Sequence, residues 1–303
     1  MVKTQHYVPR FYLRYFTNSD NKIFVYDKNN DKVFETAVDN IACENFFYDS
    51  DIIKSEIVGE QYLEKFYSMI ESEFAPFYLD FITKIQSDGN YEISQEDRNI
   101  ISNFLAFQID RTKEHREMLN QLVSGFKDQL IERRWFSEQQ LIDWGFDINN
   151  LDPKDLHIEG LLLGGELRQI LSNTLKKHIW ILCVNNTNLP FITSDNPIAK
   201  IANIQDKFVS YEGFASKGIE IIFPLNSKYL LAFCERDFFK ALEVYENKRL
   251  TITDITQVEY YNALEAIDSY RQVFSCEKNF DNITELKKIY PDSFDINRKR
   301  VSY

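Results

Sequence analysis

Three polar segments that lie far apart in the chain contain residue types that could bind anions or transfer protons. The first segment places His6 and Arg10 around Pro9, and proline is favoured in the first turn of a helix. An imidazole and a guanidinium group at one helix N-terminus could supply a general acid/base and an anion-binding group. Taken alone, the segment favours the alternative in which His6 bonds to nearby backbone and Arg10 forms a structural ion pair.

The second segment lies on a predicted long helix. Ser94 and Asp97 have the spacing of a capping box, with aspartate in place of glutamate, and the apolar period continues past Arg111 to about Leu130. The pattern therefore predicts one helix from Ser94 to about Leu130.

On that helix, Gln108, Arg111 and His115 share the apolar stripe of Phe104, because about 100° per residue brings positions three or four apart to one side. A guanidinium group that faces the core must be paired, since an unpaired buried charge costs several kcal/mol. We expect Arg111 to meet a carboxylate, a group of carbonyls or a ligand anion. The alternative is an arginine–glutamate link that only joins two helices. The expected carboxylate partners are Glu71 and Asp195.

The third segment is Ser194-Asp195-Asn196-Pro197, directly after a predicted strand at residues 191–193. Polar side chains at a strand end are well placed to form a site. Asp195 could bind a metal ion, orient His6 or accept from Arg111. For an isolated tetrapeptide, a turn with local Asx hydrogen bonds is the favoured alternative.

Other chemistries are less well supported. Asp195 and Glu220 could hold Mg²⁺ as in restriction-type nucleases, but Ile222 occupies the position where a lysine is usual. There is no G-x-S-x-G serine motif, and Cys183 and Cys234 lie in apolar strands that raise a thiol pKa.

The elements that must position these segments indicate an α+β fold, with a predominantly helical middle packed on a small, mainly antiparallel sheet. We expect one domain over residues 1–303. It comprises an N-terminal helix and hairpin (1–50), a helical region (51–178), and a sheet with a C-terminal helix (179–303).

Within these regions, the apolar period predicts individual elements. A hairpin is expected from runs 22–26 and 32–35, and Pro76 is expected to kink or break the helix that starts near residue 55. Further predicted helices cover residues 135–150, 161–175 and 255–274, with a close approach or a local break at Gly164-Gly165. The predicted strands cover residues 180–184, 191–193, 218–223 and 229–233.

Composition limits the partners. Lys and Arg number 35 against 47 Asp and Glu, which gives a net charge of −12, so a nucleic-acid or nucleotide substrate would need a confined pocket. The four cysteines have no CxxC spacing and are expected to be reduced core thiols. Neither a signal peptide nor an apolar run long enough to span a bilayer is evident, so we expect a cytoplasmic protein without a membrane partner.

Several segments follow, in order and along most of the chain, the pattern of a known family: His6–Phe16, Phe47–Tyr48, Ile70–Glu71, Phe107–Thr112, Trp180, Phe191–Pro197 and Phe223–Leu225. The chain thereby resembles the bacterial and fungal family catalogued as domain of unknown function 4238. The resemblance implies no named activity. It implies that the shared pattern contains His6, Arg10, Glu71, Gln108, Arg111, Asp195 and Asn196, whereas His115 falls where the family has no requirement, which makes it a weaker catalytic candidate.

The leading hypothesis is an intracellular hydrolase for a phosphate-bearing substrate, nuclease-like and belonging to a toxin or phage-defence setting. Each candidate residue has an expected role. His6 is the general acid/base, and Asp195 with Glu71 holds His6 or an ion such as Mg²⁺. The substrate is bound by four side chains: Arg10 and Arg111 bind its anion, Gln108 orients it, and Asn196 also contacts it.

The alternative hypothesis is a non-catalytic ligand- or protein-binding sensor module, in which the same residues form a buried structural network. A pocket open to water and lined by these residues favours the enzyme, whereas a sealed and fully paired network favours the module. A protein partner and a second copy of the chain both remain open.

Overall fold

The computed structural model describes residues 2–50, 61–132 and 152–301, together with residues 137, 139 and 140. The fold is α+β, as the sequence predicts. Along the chain, an N-terminal hairpin is followed by a helical region and then by the strands of a mainly antiparallel sheet. No helix among these residues is both long and apolar enough to cross a membrane. The helices are α1 (Arg10–Leu13), α2 (Tyr62–Ser87), α3 (Gln95–Asp110), α4 (Lys113–Glu132), α5 (Pro153–Leu163), α6 (Gly165–Lys177), α7 (Ile255–Asp268), α8 (Asp281–Ile289) and α9 (Pro291–Phe294).

Three sheets are formed by the described strands. The strands are β1 (Thr4–His6), β2 (Ile23–Asp27), β3 (Lys32–Thr36), β4 (Cys43–Asn45), β5 (Ile179–Asn185), β6 (Thr193–Ser194), β7 (Ala199–Ala202), β8 (Ile219–Pro224), β9 (Tyr229–Cys234), β10 (Arg249–Ile252) and β11 (Gln272–Ser275). Their orders are β1-β4, β10-β5-β9-β8-β7 and β3-β2-β11-β6. Only the β10–β5 pair is parallel among them.

Strand β5 shows why the five-stranded sheet is buried on both faces. Trp180 and Leu182 point into the largest apolar cluster, with α2 and α3, whereas Ile181 and Cys183 point into a second cluster with α7. Side chains alternate between the two faces of a strand, so a continuous apolar run predicts a strand covered on both sides. The sheet is thus the layer against which the helical middle packs.

The hairpin and the capping box are confirmed. Strands β2 and β3 pair antiparallel from Ile23 with Thr36 to Asp27 with Lys32. At the start of α3, the Ser94 hydroxyl accepts from the Asp97 amide at 3.1 Å, and the Asp97 carboxylate accepts from the Ser94 amide at 2.8 Å. Local side-chain chemistry sets this helix start.

The prediction of one helix to about Leu130 is wrong. Helix α3 ends at Asp110, and α4 begins at Lys113. The Thr112 hydroxyl accepts from the His115 amide at 3.2 Å and restarts the helix. Arg111 therefore sits at a junction, and His115 does not continue its stripe.

Two other predictions concern helix ends. At Pro76 the structure excludes a break, because α2 continues from Tyr62 to Ser87 with Phe74 and Tyr78 buried in one core; the kink stays a prediction. The predicted helix over residues 255–274 ends at Asp268, since residues 272–275 form β11 between β2 and β6.

The helix predicted over 161–175 is two helices, α5 and α6, and they meet at the predicted break. A Cβ at Gly164 would lie 2.5 Å from the Gly160 carbonyl oxygen, so this close approach requires glycine. The predicted strand at 191–193 is confined to Thr193–Ser194. The predicted helix over 135–150 lies outside the described residues, apart from residues 137, 139 and 140.

Replacing Ser94 by alanine should lower the free energy of unfolding by about 1 kcal/mol, because the Asp97 amide loses its acceptor. Urea unfolding measures the change. Ser72→Ala is the control, because its exposed hydroxyl bonds only to the Ser68 carbonyl within α2; an equal loss in both variants would contradict the capping role.

Candidate functional site

Arg111 lies at the junction between α3 and α4, and its side chain is only 3% exposed. Its Nη1 donates to Glu71 Oε1 at 2.9 Å, its Nε to the Tyr48 hydroxyl at 3.1 Å, and its Nη2 to the His6 carbonyl at 2.6 Å. The guanidinium carbon also lies 4.3 Å from the Tyr67 ring centroid, within the range of a cation–π interaction. The guanidinium group is thus enclosed by three hydrogen-bond acceptors and one aromatic ring of the protein.

The Arg111 partners come from separate parts of the chain. Glu71 lies on α2, His6 on β1, and Tyr48 follows β4. The expectation that Arg111 would meet a carboxylate is met by Glu71. We call Arg111, Glu71, Tyr48 and the His6 carbonyl the arginine network; it joins the N-terminal segment to two helices.

The side chains of His6 and Arg10 do not bind to each other. Arg10 Nη1 pairs with Asp39 Oδ1 at 2.7 Å, and both side chains are more than half exposed. The His6 ring lies beside the Asp39 backbone, its Nε2 is buried without a partner, and burial, followed by the nearby Arg10 charge, lowers its pKa. Arg10 therefore faces solvent, and His6 enters the arginine network only through its carbonyl.

Gln108 is buried on α3, one turn before Arg111. Its Nε2 donates to the Tyr7 carbonyl at 2.8 Å, next to the His6 carbonyl that Arg111 binds. Its Oε1 is buried without a partner. Gln108 thus supports the same backbone segment as the arginine network.

Asp195 lies in a different cluster. Its carboxylate accepts from the amides of Tyr270, Arg271 and Gln272 at 2.8 to 2.9 Å and is 1% exposed. Burial raises its pKa, and the amide hydrogen bonds oppose that effect. Asp195 fixes the turn between α7 and β11, and no hydrogen bond joins it to Arg111 or His6.

Asn196 continues this second cluster. Its Nδ2 donates to the Asp268 carbonyl at the end of α7 at 3.1 Å. Tyr7, in the N-terminal segment, interacts electrostatically with this cluster. Burial raises the pKa of its hydroxyl, and the negative charge of the Asp195 carboxylate raises it further. The seven predicted site residues are therefore divided among the arginine network, the Asp195 turn and the exposed Arg10.

The donor set does not fit Mg²⁺ at Asp195 and Glu220. The Asp195 oxygens are occupied by three backbone amides, and Glu220 Oε2 accepts from the Tyr260 hydroxyl at 2.8 Å. In the described parts of the chain, no group of three His, Cys, Asp or Glu side chains is arranged to hold a metal ion.

A cavity of about 1300 Å³, which we call the central cavity, lies beside the arginine network. Its walls come from α3 to α6, β7, the segment 204–214, the end of α7 and residues 293–300. Phe208, which is 94% exposed, lies at its rim, so the cavity opens to solvent. Of the seven predicted site residues, only Asn196 lines it.

Two histidines lie in the cavity wall with their ring centroids 5.8 Å apart. His157 accepts from Arg116 Nε at its Nδ1 and therefore donates from its Nε2 to the Asp110 carbonyl at 2.6 Å. Burial lowers the pKa of His115 to about 4 and that of His157 to about 3. Both rings are neutral at pH 7, and the His115 ring forms no hydrogen bond within the described residues.

Asp110 lies in the same wall. Its Oδ2 accepts from Arg168 Nε at 2.5 Å, and its Oδ1 is buried without a partner. Burial raises its pKa to about 6, against the opposing effect of Arg168. Sequence reasoning did not select Asp110 or His157, although Asp110 directly precedes Arg111 in a segment that carries the family resemblance.

Comparisons with known proteins identify the family of this chain but do not identify an activity. The family profile described as "Protein of unknown function (DUF4238)" matches residues 4–279. No curated protein and no solved structure matches the chain.

Replacing Arg111 by alanine should lower the free energy of unfolding by about 3 to 5 kcal/mol, because Glu71 and the His6 carbonyl lose their buried partner. Arg10→Ala removes an exposed ion pair and should cost less than about 1 kcal/mol. Urea unfolding compares the two variants. Similar losses would show that the arginine network is not a structural centre.

Asp110 should make stability depend on pH. Its pKa is about 6 in the folded chain and about 3.9 when unfolded, so the folded state holds the extra proton between these values. Relative to Asp110→Asn, the wild type should lose about 2 kcal/mol of unfolding free energy as pH rises from 4 to 6. Asp39→Asn, at an exposed pair, is the control, and parallel pH profiles for wild type and Asp110→Asn would contradict the shift.

Proposed function

We propose, for a chain that belongs to the DUF4238 family of proteins of unknown function, that it binds a small anionic organic molecule in the central cavity and acts as a ligand-binding module. The observation that carries this proposal is the neutral His115 ring, without a hydrogen-bond partner in the described structure, in the wall of a cavity of about 1300 Å³. The His115 side chain is half-buried, and a neutral imidazole has one donor and one acceptor nitrogen with which it could bond to a ligand.

The composition of the wall supports an organic ligand. Apolar and polar side chains line the same space in about equal numbers, which suits an organic molecule that has both an apolar body and a polar group. The apolar part of the wall includes Met118, Leu119, Val123, Ile198 and Phe214.

The charges of the wall support an anionic group on that ligand. Six cationic side chains line the cavity against five carboxylates. Arg168 is paired with Asp110, whereas Arg298 and Arg300 share the single carboxylate of Glu114, which leaves one positive charge in excess. The lysines of the wall, Lys200, Lys207 and Lys299, form no ion pair within the described ranges. A phosphate or a carboxylate would provide the counter-charge.

The arginine network favours a ligand-binding module with its site in the central cavity, and it argues against an active site in which Arg111 binds the substrate. Each nitrogen of the Arg111 guanidinium group donates to a protein acceptor, and Arg111 is not among the residues that line the cavity. A substrate anion would have to displace Glu71 or the His6 carbonyl to reach it, which would leave a buried group unpaired.

The test uses matched probes that differ in charge: adenosine with adenosine monophosphate, decanol with decanoate, and inorganic phosphate alone. In calorimetric titrations, we expect one charged probe to bind at least about tenfold more tightly than its neutral partner, which corresponds to about 1.4 kcal/mol. The nucleotide and the fatty acid distinguish a phosphate ligand from a carboxylate ligand.

His115→Ala should weaken that binding about tenfold, the value of one hydrogen bond. His6→Ala is the control, because His6 does not line the cavity, and should change the affinity less than about twofold. Absence of charge discrimination in every pair, or equal effects of the two variants, would contradict the proposal.

Hydrolysis of a phosphate-bearing substrate is the second candidate function, and the presence of Asp110 and His115 in one wall favours it. A carboxyl group with a pKa of about 6 and a neutral imidazole are a suitable acid and base. Phosphate release from the bound nucleotide, together with growth, RNA and DNA integrity after expression in bacteria, tests a nuclease-like toxin or phage-defence role. Activity that His115→Ala abolishes would support it, and binding without turnover would support the module.

A further inference from the structure

Residues 295–301, which we call the strap, follow the short helix α9 and form part of the cavity wall. Phe294, at the end of α9, is 2% exposed and packs with Tyr26 and Ile283. Beyond it, the apolar residues Ile296 and Val301 are only half-buried. Because burial of apolar surface is the main source of stability, the strap is anchored at Phe294 and must be held further along by polar contacts.

One carboxylate oxygen receives both guanidinium groups of the strap. Arg298 Nη2 and Arg300 Nε donate to Glu114 Oε1 at 2.8 and 2.9 Å. The Arg298 and Arg300 side chains are 11% and 4% exposed, so solvent screens these pairs little. The Glu114 charge is therefore the principal electrostatic attachment of the strap.

A second attachment lies two turns along α4. Gln121 Nε2 donates to the Arg298 carbonyl at 2.8 Å, and its Oε1 accepts from the Arg300 amide at 2.7 Å. Positions seven residues apart share one face of a helix. Lesser contacts are Arg298 Nη2 with the Asp268 carbonyl at 3.3 Å, and the Arg300 guanidinium 5.6 Å from the Tyr270 ring centroid.

The strap completes the cavity with a piece of chain that the family profile does not include. Arg298, Lys299 and Arg300 line the cavity, and so does His115, the neighbour of Glu114 on α4. The family match ends at residue 279. Within the described residues, the hydrogen bonds that leave the strap go to α4 and to the Asp268 carbonyl at the end of α7, and none goes to a strand or to the arginine network.

We propose that the strap is a movable wall of the central cavity, and that its attachment to Glu114 and Gln121 controls access of the ligand. The role of this access rests on the proposed function. An anionic ligand that enters beside the strap would compete with Glu114 for the two arginines, so binding and release of the strap would be coupled.

The test is Glu114→Ala in the full chain, with hydrogen–deuterium exchange of residues 295–301 and acylation of His115 by diethyl pyrocarbonate as the two measurements. We expect both rates to rise at least tenfold, because the strap loses its charged partner and exposes the neutral imidazole. The melting temperature should fall by no more than a few degrees, because release of the strap returns both guanidinium groups to water and leaves neither of them buried and unpaired.

Glu246→Ala is the matched control. Glu246 also receives two arginines, Arg98 Nη1 at 3.0 Å and Arg236 Nη1 at 2.9 Å, but it does not line the cavity. Exchange of the strap and acylation of His115 should match the wild type in this variant.

The double variant Arg298→Gln/Arg300→Gln removes the same ion pairs without altering α4 and should reproduce both increases, even if Glu114→Ala fails to fold. Unchanged strap exchange in the double variant, or faster exchange with unchanged His115 acylation, would overturn the proposal. Acylation needs no ligand, so failure of every binding probe would contradict the proposed function while leaving the test of the strap intact.

Discussion

Complete pairing of the buried Arg111 charge is the constraint on which the helical half of the molecule depends. A guanidinium group that is almost fully enclosed is tolerated only if its donors are satisfied. Glu71, the Tyr48 hydroxyl and the His6 carbonyl satisfy them from three distant parts of the chain. The requirement fixes the N-terminal segment against α2 and interrupts the helix at residues 111–112. Helix α4 begins as a separate element at Lys113 and places His115 in the wall of the central cavity.

Asp195 is the corresponding buried charge on the sheet side of the molecule. Its carboxylate accepts hydrogen bonds from the amides of residues 270–272 and so stabilises the turn between the end of α7 and the start of β11. Two segments that resemble catalytic motifs in the sequence are thus organisers of backbone. Chemistry-bearing residue types are shared by active sites and by buried polar networks, because both need charged groups in a place where water is scarce.

The sequence predicts those parts of the fold that depend on local chemistry. The Ser94 capping box, the β2–β3 hairpin and the two-sided burial of β5 follow from residue types a few positions apart. The break at Arg111 and the strand at residues 272–275 could not be predicted from local pattern, since partners more than 60 residues away decide them. The same reason explains the cavity: Asp110 and His115 become notable only when α5, α6 and the strap close around them.

The net charge of −12 determines how an anionic ligand could be bound by this molecule. The long-range field repels anions and slows their encounter, so affinity must arise from contacts made after entry. Arg298 and Arg300, whose side chains are 11% and 4% exposed, share the single Glu114 carboxylate, and charges in such a place act at a lower effective dielectric constant than charges at the surface. Lys207 and Lys299 are exposed and Lys200 is half-buried, so water screens their charges more strongly. The acidic surface and the locally cationic strap together favour a small ligand over an extended polyanion.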